Sequence, residues 1–169
     1  MHVSGGVNRV CKIAGVLVIA LVLAACSRQQ QPKQYGLGGE GPVQPGTSRD
    51  FAVNVGEVVR FEVDSASLTG EAQGILRNQA RWLNQYPQYT ILIEGHADER
   101  GTREYNIALG ARRAISVRNF LASSGVTAAR MRTISYGKER PVATCDDISC
   151  WSQNRRAKTN LNGGAVARY

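Results

Sequence analysis

The chain has 169 residues, a hydrophobic content of 43% and a formal net charge of +8. This length allows one domain of about a hundred residues together with appended segments. Two of the cations, Arg9 and Lys12, precede an apolar segment, and the others are spread along the sequence rather than clustered. The composition therefore argues against a nucleic-acid-binding protein and favours association with an anionic cell wall or membrane surface.

The first segment has the features of a secretory signal peptide. Its apolar run from Ile13 to Leu23 is far shorter than the roughly 20 residues that span a bilayer. The run ends in a motif that resembles a bacterial lipobox, namely Leu23, Ala24, Ala25 and Cys26. We therefore expect cleavage of residues 1–25. An ordinary signal peptide followed by a chance cysteine is the alternative.

Cys26 is predicted to carry several acyl chains, which together anchor a protein firmly in a membrane. By similarity to Gram-negative lipoproteins, Ser27 after the cysteine, in place of Asp, favours sorting to the outer membrane. The remaining chain would then face the periplasm.

Residues 26–50 are interpreted as the lipidated cysteine followed by a flexible linker. The segment is rich in Gln, Gly and Pro, which interrupt any periodic pattern. A linker of roughly two dozen residues has an r.m.s. span on the order of 25–30 Å, enough to let a membrane-anchored domain reach a nearby polymer. A phosphate-binding glycine loop is the weaker alternative, because neither a P-loop lysine nor a preceding strand accompanies these glycines.

Residues 51–162 are predicted to form the globular domain, and residues 163–169 a loose C-terminal tail. Strands and helices alternate, and the helices have recognisable caps at Thr69 and Thr102. The predicted elements are a strand at Val58–Val63, a helix at Gly70–Gln85, a strand at Tyr89–Ile93, a helix between Thr102 and Gly125, and a strand at Met131–Tyr136. This order predicts an α/β fold (an α+β sandwich) in which helices cover a sheet.

The most informative stretch joins the end of the second strand, a polar loop and the second helix. Asn106, Leu109 and Arg113 recur at steps of three or four, so they share one helical face. That face begins beside the loop that carries Asp98 and Arg100. A carboxylate receives an ammonium, and a guanidinium binds a carboxylate through two hydrogen bonds. The pattern predicts a pocket for a small zwitterion, with a surface ion pair of Asp98 and Arg113 as the alternative.

The same stretch, read as GHADERGTREYNIALGARRAISVRNFL, resembles the peptidoglycan-binding signature of OmpA-like domains. The resemblance continues through ISYGKERPVA and SQNRRA and back to VRFEVDSASLTGEA, from about Val58 to Lys158. It implies an OmpA-like βαβαβ fold with an additional C-terminal strand near Ala157–Leu161 and a mixed sheet covered by helices. It also implies a binding protein that is not an enzyme and needs no cofactor.

For the site, the resemblance implies non-covalent binding of the diaminopimelate side chain of peptidoglycan stem peptides. Asp98 would receive the ligand's ammonium and Arg113 its carboxylate. The resemblance gives roles to four further residues. Arg100 and Asn106 would add polar contacts, Leu109 would form an apolar wall, and Asp64 would border the pocket.

The resemblance to lipoproteins of this family implies a protein partner for this chain as well as a ligand. The resemblance predicts a link between outer membrane and cell wall within the Tol envelope complex, with roles in envelope integrity and cell division. The periplasmic protein TolB would be a partner, together with other Tol proteins. A family lipoprotein that binds peptidoglycan without a Tol role is the alternative.

Two cysteines, Cys145 and Cys150, follow the last predicted strand of the βαβαβ unit. In an oxidising periplasm, two nearby thiols favour a disulfide over a reactive pair. Metal binding by these cysteines with Asp146 and Asp147 is the alternative, but no histidine is near and the spacing matches no common zinc pattern.

An enzyme is the competing functional class. His96, Asp98, Glu99 and Ser116 offer a general base, carboxylates and a hydroxyl nucleophile. However, no nucleophile lies on a recognisable elbow and no HExxH motif is present. The sequence therefore favours a binding module.

Overall fold

The computed structural model describes residues 42–162. A short helical segment, Ser48–Asp50 and Phe51–Val55, precedes the main elements. These are β1 (Val58–Arg60), α1 (Gly70–Gln85), β2 (Thr90–His96), α2 (Arg103–Ser123), a 3₁₀ turn (Ala128–Arg130), β3 (Met131–Gly137), α3 (Ile148–Asn154) and β4 (Arg156–Asn162). The predicted signal peptide, the lipidation site Cys26, most of the linker and the C-terminal tail lie outside the described residues. Within residues 42–162, no helix combines the length and the apolar character needed to cross a membrane.

The four strands form one mixed sheet in the order β1-β4-β2-β3. β2 pairs in parallel with β3, and β4 lies between β1 and β2 and is antiparallel to both. As a result, β1, β2 and β3 all end at the same edge of the sheet, and β4 begins there. The predicted α/β fold is confirmed, including the additional C-terminal strand.

The two faces of the sheet have different environments. Ile91 and Ile93 of β2 belong to the buried hydrophobic core that α1 and α2 complete. α2 lies so close to β2 that a Cβ atom at Gly95 would overlap the carbonyl oxygen of Gly110. Strand residues alternate between faces, so Glu94 and the other residues in phase with it point away from α1 and α2. We call this second side the open face.

The last residues of the predicted linker are packed against the domain. Trp82 Nε1 donates to Asp50 Oδ2 at 2.7 Å, and the Tyr89 hydroxyl donates to the Gly46 carbonyl at 2.7 Å. Hydrogen bonds from Trp82, Asn54 and Gly46 hold the pKa of Asp50 below its ordinary value. The folded domain therefore begins no later than Gly46, and the predicted boundary after residue 50 is too late. Linker-like composition is local, whereas the partners of these residues lie more than thirty positions away.

Two further differences concern short elements. β1 ends at Arg60 instead of Val63, because the chain turns at Val63 and Asp64, the latter with φ of 52°. The helix α3 was not predicted, since its seven residues carry no periodic apolar face. The predicted disulfide between Cys145 and Cys150 is confirmed, and it joins the preceding loop to α3.

Candidate functional site

A polar cleft lies at the sheet edge where β1 and β2 end. The loops after these strands frame it, and the first turns of α2 close it. Its volume is about 240 Å³, and its lining residues are Val63, Asp64, Asp98, Arg100, Gly101, Tyr105, Asn106 and Leu109. We call it the acid cleft. It is smaller than the roughly 300–1,000 Å³ of pockets for drug-sized ligands, so its dimensions suit a single small group such as the end of an amino-acid side chain. Five of the six predicted site residues line it.

Asp98 is the charged centre of the acid cleft and is only 7% exposed. Arg100 donates to its carboxylate from the backbone N, Nε and Nη2 at 3.2, 3.1 and 2.7 Å, and Arg155 Nη1 lies 3.4 Å away. Burial raises the pKa of Asp98, but the hydrogen bonds and positive charge of these arginines lower it below its ordinary value. Asp98 is therefore a carboxylate at neutral pH, and its ion pairs are with Arg100 and Arg155 instead of a surface pair with Arg113.

Arg113, the sixth predicted residue, is fully buried beneath the cleft. Its Nε, Nη1 and Nη2 donate to the carbonyls of Ser65, His96 and Glu62 at 2.8, 2.7 and 3.1 Å. The guanidinium also lies 5.1 Å from the ring centroid of Phe61. Burial lowers the pKa of Arg113 to about 10, so the group is still charged at neutral pH. Arg113 thus ties the loop after β1 to the end of β2.

The remaining predicted residues shape the rim and one wall. The Tyr105 hydroxyl donates to the Asp64 carboxylate, and this bond raises the pKa of Tyr105. Asn106 Nδ2 donates to the Arg100 carbonyl at 2.8 Å, which fixes the loop after β2. Leu109 is buried and gives the cleft an apolar wall.

Sequence analysis missed three residues around the cleft, namely Tyr105, Arg155 and Trp151. The guanidinium of Arg100 lies 4.4 Å from the ring centroid of Trp151, whose Nε1 donates to Glu99 Oε1 at 2.8 Å. Arg100 is therefore held between a carboxylate and an aromatic ring. Tyr105 and Arg155 occur within the family-like motifs, but only the fold shows which groups they contact.

The residues of the enzyme hypothesis do not come together. Alternate residues of a strand point to the same side, which would bring His96 and Asp98 together in a longer strand. However, β2 ends at His96, so Asp98 lies beyond it. His96, Asp98 and Ser116 line three different clefts. Glu99 accepts its hydrogen bond from Trp151. Among residues 42–162, these four side chains therefore do not form a group of base, orienting acid and nucleophile.

The mixed sheet with a polar cleft at its strand ends matches a known class of domain. The model of the OmpA family matches residues 60–155, more than half of the chain. The chain therefore belongs to the OmpA family. Relatives that carry the name peptidoglycan-associated lipoprotein place it more narrowly. The relative from Mesorhizobium japonicum is 59% identical over 150 residues, which cover 87% of this chain and 89% of the relative. The one from Rhizobium meliloti is 61% identical over 150 residues, covering 87% and 85%.

Solved structures agree with this placement. The crystal structure of the peptidoglycan-associated lipoprotein from Burkholderia pseudomallei has a TM-score of 0.61 and 46% identity, and the match covers 63% of this chain and 90% of that one. The C-terminal domain of Helicobacter pylori MotB has a TM-score of 0.60 at 22% identity, covering 64% and 86%. The second match shows that the fold is shared.

Proposed function

We propose that this protein binds peptidoglycan non-covalently at the acid cleft, through the diaminopimelate side chain of the stem peptides. The observation that carries the proposal is the buried, ionised carboxylate of Asp98, whose main partner Arg100 is a side chain that is 42% exposed. A partly exposed guanidinium can leave, and an incoming ammonium can take its place on the carboxylate. The name shared by the relatives, peptidoglycan-associated lipoprotein, supports this class of ligand.

The far end of diaminopimelate carries an ammonium and a carboxylate on one carbon. A site for it therefore needs an anionic and a cationic side chain close together. In our proposal the ammonium pairs with Asp98, and the displaced guanidinium of Arg100 turns to the ligand's carboxylate. Arg113, predicted as the carboxylate's partner, contributes its charge from beneath the cleft. The N-terminus of α2 adds a partial positive charge on the same side. Leu109 packs on the ligand's methylenes, while Asp64 and Asn106 border the site.

We further propose that acyl chains on Cys26 anchor the protein in the outer membrane and that the linker carries the domain to the cell wall. This arrangement would connect the two layers within the Tol–Pal system and contribute to envelope integrity and cell division. TolB and other Tol proteins are the proposed partners. The lipoprotein names of the relatives support the anchor. Co-purification of TolB with the protein tests the Tol role separately, since wall binding without TolB would leave only the anchoring function.

Sedimentation with purified diaminopimelate-type sacculi tests the site. The detergent-solubilised full-length protein is compared with Asp98→Asn, which removes one charge at nearly constant volume. Asp146→Asn removes an exposed carboxylate in the loop before α3 and serves as the matched control. We expect the wild type and the control to pellet and free diaminopimelate to release them. Asp98→Asn should bind at least about tenfold more weakly, because a hydrogen bond between charged groups contributes roughly 1.5–3 kcal/mol.

Two outcomes would contradict the proposal. A folded Asp98→Asn protein that pellets like the wild type would remove the acid cleft from wall binding. A wild-type protein that stays in the supernatant would reject peptidoglycan as the ligand.

A further inference from the structure

A second cleft lies on the open face, where β1, β4 and β2 meet the segment after β3. Its volume is about 430 Å³. Four basic and two acidic side chains line it, and these are Arg60, Arg140, Arg156, Lys158, Glu57 and Glu94. We call it the open-face cleft. It shares no lining residue with the acid cleft.

Two buried side chains in the open-face cleft have polar atoms that other described residues do not use. His96 is 1% exposed, and within residues 42–162 neither Nδ1 nor Nε2 has a hydrogen-bond partner. Arg156 is 7% exposed, and its Nη2 donates to the Arg140 carbonyl at 3.1 Å, whereas its Nη1 has no partner in the same range. Buried polar groups are nearly always hydrogen-bonded. These two side chains are therefore suited to a ligand that brings its own acceptor.

The charges around these two residues favour an anion. Lys158 forms an ion pair with Glu57 at 3.0 Å, which balances one cation. Glu94 Oε2 lies 3.7 Å from His96 Nε2. The guanidinium of Arg140 lies 3.6 Å from the ring centroid of Tyr136. This aromatic contact holds the guanidinium at the cleft and leaves its positive charge unneutralised by the ring. Basic groups thus outnumber acidic ones in a partly enclosed space, which strengthens attraction for negative charge.

The protonation of His96 fits the same ligand. Burial and then the charges of Arg156, Arg140 and Lys158 lower the pKa of His96 to about 4. The imidazole is therefore neutral at neutral pH, with one nitrogen that donates and one that accepts. A bound anion would oppose the nearby positive charges and stabilise the protonated ring, so binding should raise the pKa of His96.

We propose that the open-face cleft is a second binding site, which takes a carboxylate of an acidic peptide segment. Arg156 Nη1 and the N–H of His96 would donate to it, and Arg140 would add positive charge. A carboxylate matches the two donors in number, because its two oxygens can accept one hydrogen bond from Arg156 Nη1 and one from the N–H of His96. The remaining walls are partly apolar, formed by Val58, Pro141 and Val142, and suit the methylenes of a peptide chain.

Titration of the detergent-solubilised full-length protein with a tetraglutamate peptide tests this site. Tetraglutamine and inorganic phosphate are the comparison ligands. Binding is measured by calorimetry, and the imidazole resonance of His96 by NMR. The chain has two histidines, and the other, His2, lies in the predicted signal peptide, so the resonance is readily assigned. We expect tetraglutamate to shift the His96 resonance and raise its titration midpoint, whereas tetraglutamine leaves both unchanged.

Three variants locate the site. Arg156→Gln removes the buried donor, and Arg140→Gln removes an exposed cation without disturbing a buried residue. Arg132→Gln removes an equal charge from β3 and is the matched control, since Arg132 is on the open face but outside the cleft. We expect the first two variants to weaken tetraglutamate binding about tenfold and about threefold, and the control less than twofold.

Several results would overturn the proposal. An unchanged His96 resonance at saturating tetraglutamate would exclude the cleft. Equal losses in Arg132→Gln and Arg140→Gln would show diffuse attraction to a basic sheet face. Phosphate that binds as tightly as tetraglutamate and competes with it would reject the carboxylate assignment.

Discussion

The acid cleft and the open-face cleft both lie at the end of β2, but their charges are satisfied in opposite ways. In the acid cleft, Asp98 is paired with Arg100 and Arg155, and the Asp64 carboxylate accepts the Tyr105 hydroxyl. In the open-face cleft, Arg156 Nη1 and both ring nitrogens of His96 have no hydrogen-bond partner among residues 42–162. The buried charge of the acid cleft is therefore paired internally, whereas the open-face cleft keeps unused polar atoms beside its ion pair of Lys158 and Glu57.

This difference bears on selectivity. A ligand of the acid cleft has to replace Arg100 on Asp98, and the freed guanidinium then needs an anion of its own. Only a ligand that carries both charges close together compensates both groups, which favours a zwitterion over a simple cation. A ligand of the open-face cleft displaces no internal partner, so a single negative charge is enough there.

The largest effect should come from Arg113→Ala, because Arg113 supports both clefts through the end of β2. Three carbonyls, of Ser65, His96 and Glu62, each lose a charged donor at once. We expect the free energy of unfolding to fall by about 3–5 kcal/mol, measured by urea denaturation. The neighbouring exposed variant Arg112→Ala should change it by no more than about 0.5 kcal/mol. Similar losses in the two variants would mean that these carbonyl bonds contribute little.

Gly95→Ala should weaken binding at the acid cleft and leave binding at the open-face cleft nearly unchanged. The added methyl would meet the backbone of Gly110 and push α2 away from β2. We expect a loss of about 1–3 kcal/mol in unfolding free energy, weaker sedimentation with sacculi, and nearly unchanged binding of tetraglutamate. As a control, Gly74→Ala adds a methyl in α1 with no atom nearer than 3.9 Å and should stabilise the protein by about 0.5–1 kcal/mol. Equal loss of both binding activities in Gly95→Ala would show that the clefts are not independent.

A smaller effect should be the pH dependence of the free energy of unfolding that the ion pairs of Asp98 cause. The pKa of Asp98 is lower in the folded protein than its ordinary 3.8, so its ion pairs stabilise the fold above that pH. The contribution should be lost as the pH falls below 3.8 and through the folded-state pKa. At pH 7 we expect Asp98→Asn to be less stable than the wild type by about 1 kcal/mol, because Arg100 is partly exposed and its ion pair is screened. Urea denaturation of both proteins across this range measures the difference, and a gap that does not narrow in acid would contradict the ion-pair explanation.

The local features of this protein were predictable from its sequence. The helix Gly70–Gln85 with its cap at Thr69 was predicted with the bounds that the structure shows. The spacing of Asn106 and Leu109 on α2 placed them beside the loop that carries Asp98 and Arg100, and all four line one cleft. Periodicity, capping and short spacing are properties of neighbouring residues, so they can be read before the chain is folded.

Only the tertiary structure decided which groups are paired, buried or open. Arg155 reaches Asp98 across 57 positions, and Arg113 reaches the Ser65 carbonyl across 48. Arg113 is buried where the loop after β1 meets the end of β2, and the position of Arg156 on the open face follows from β4 inserting between β1 and β2. That insertion depends on sheet pairing between segments far apart in the chain, and the pattern of β4 by itself is too weak to specify it. The sequence alone thus determined five residues that line the acid cleft, and the tertiary structure decided the long-range partners, Arg155 for Asp98 and Tyr105 for Asp64.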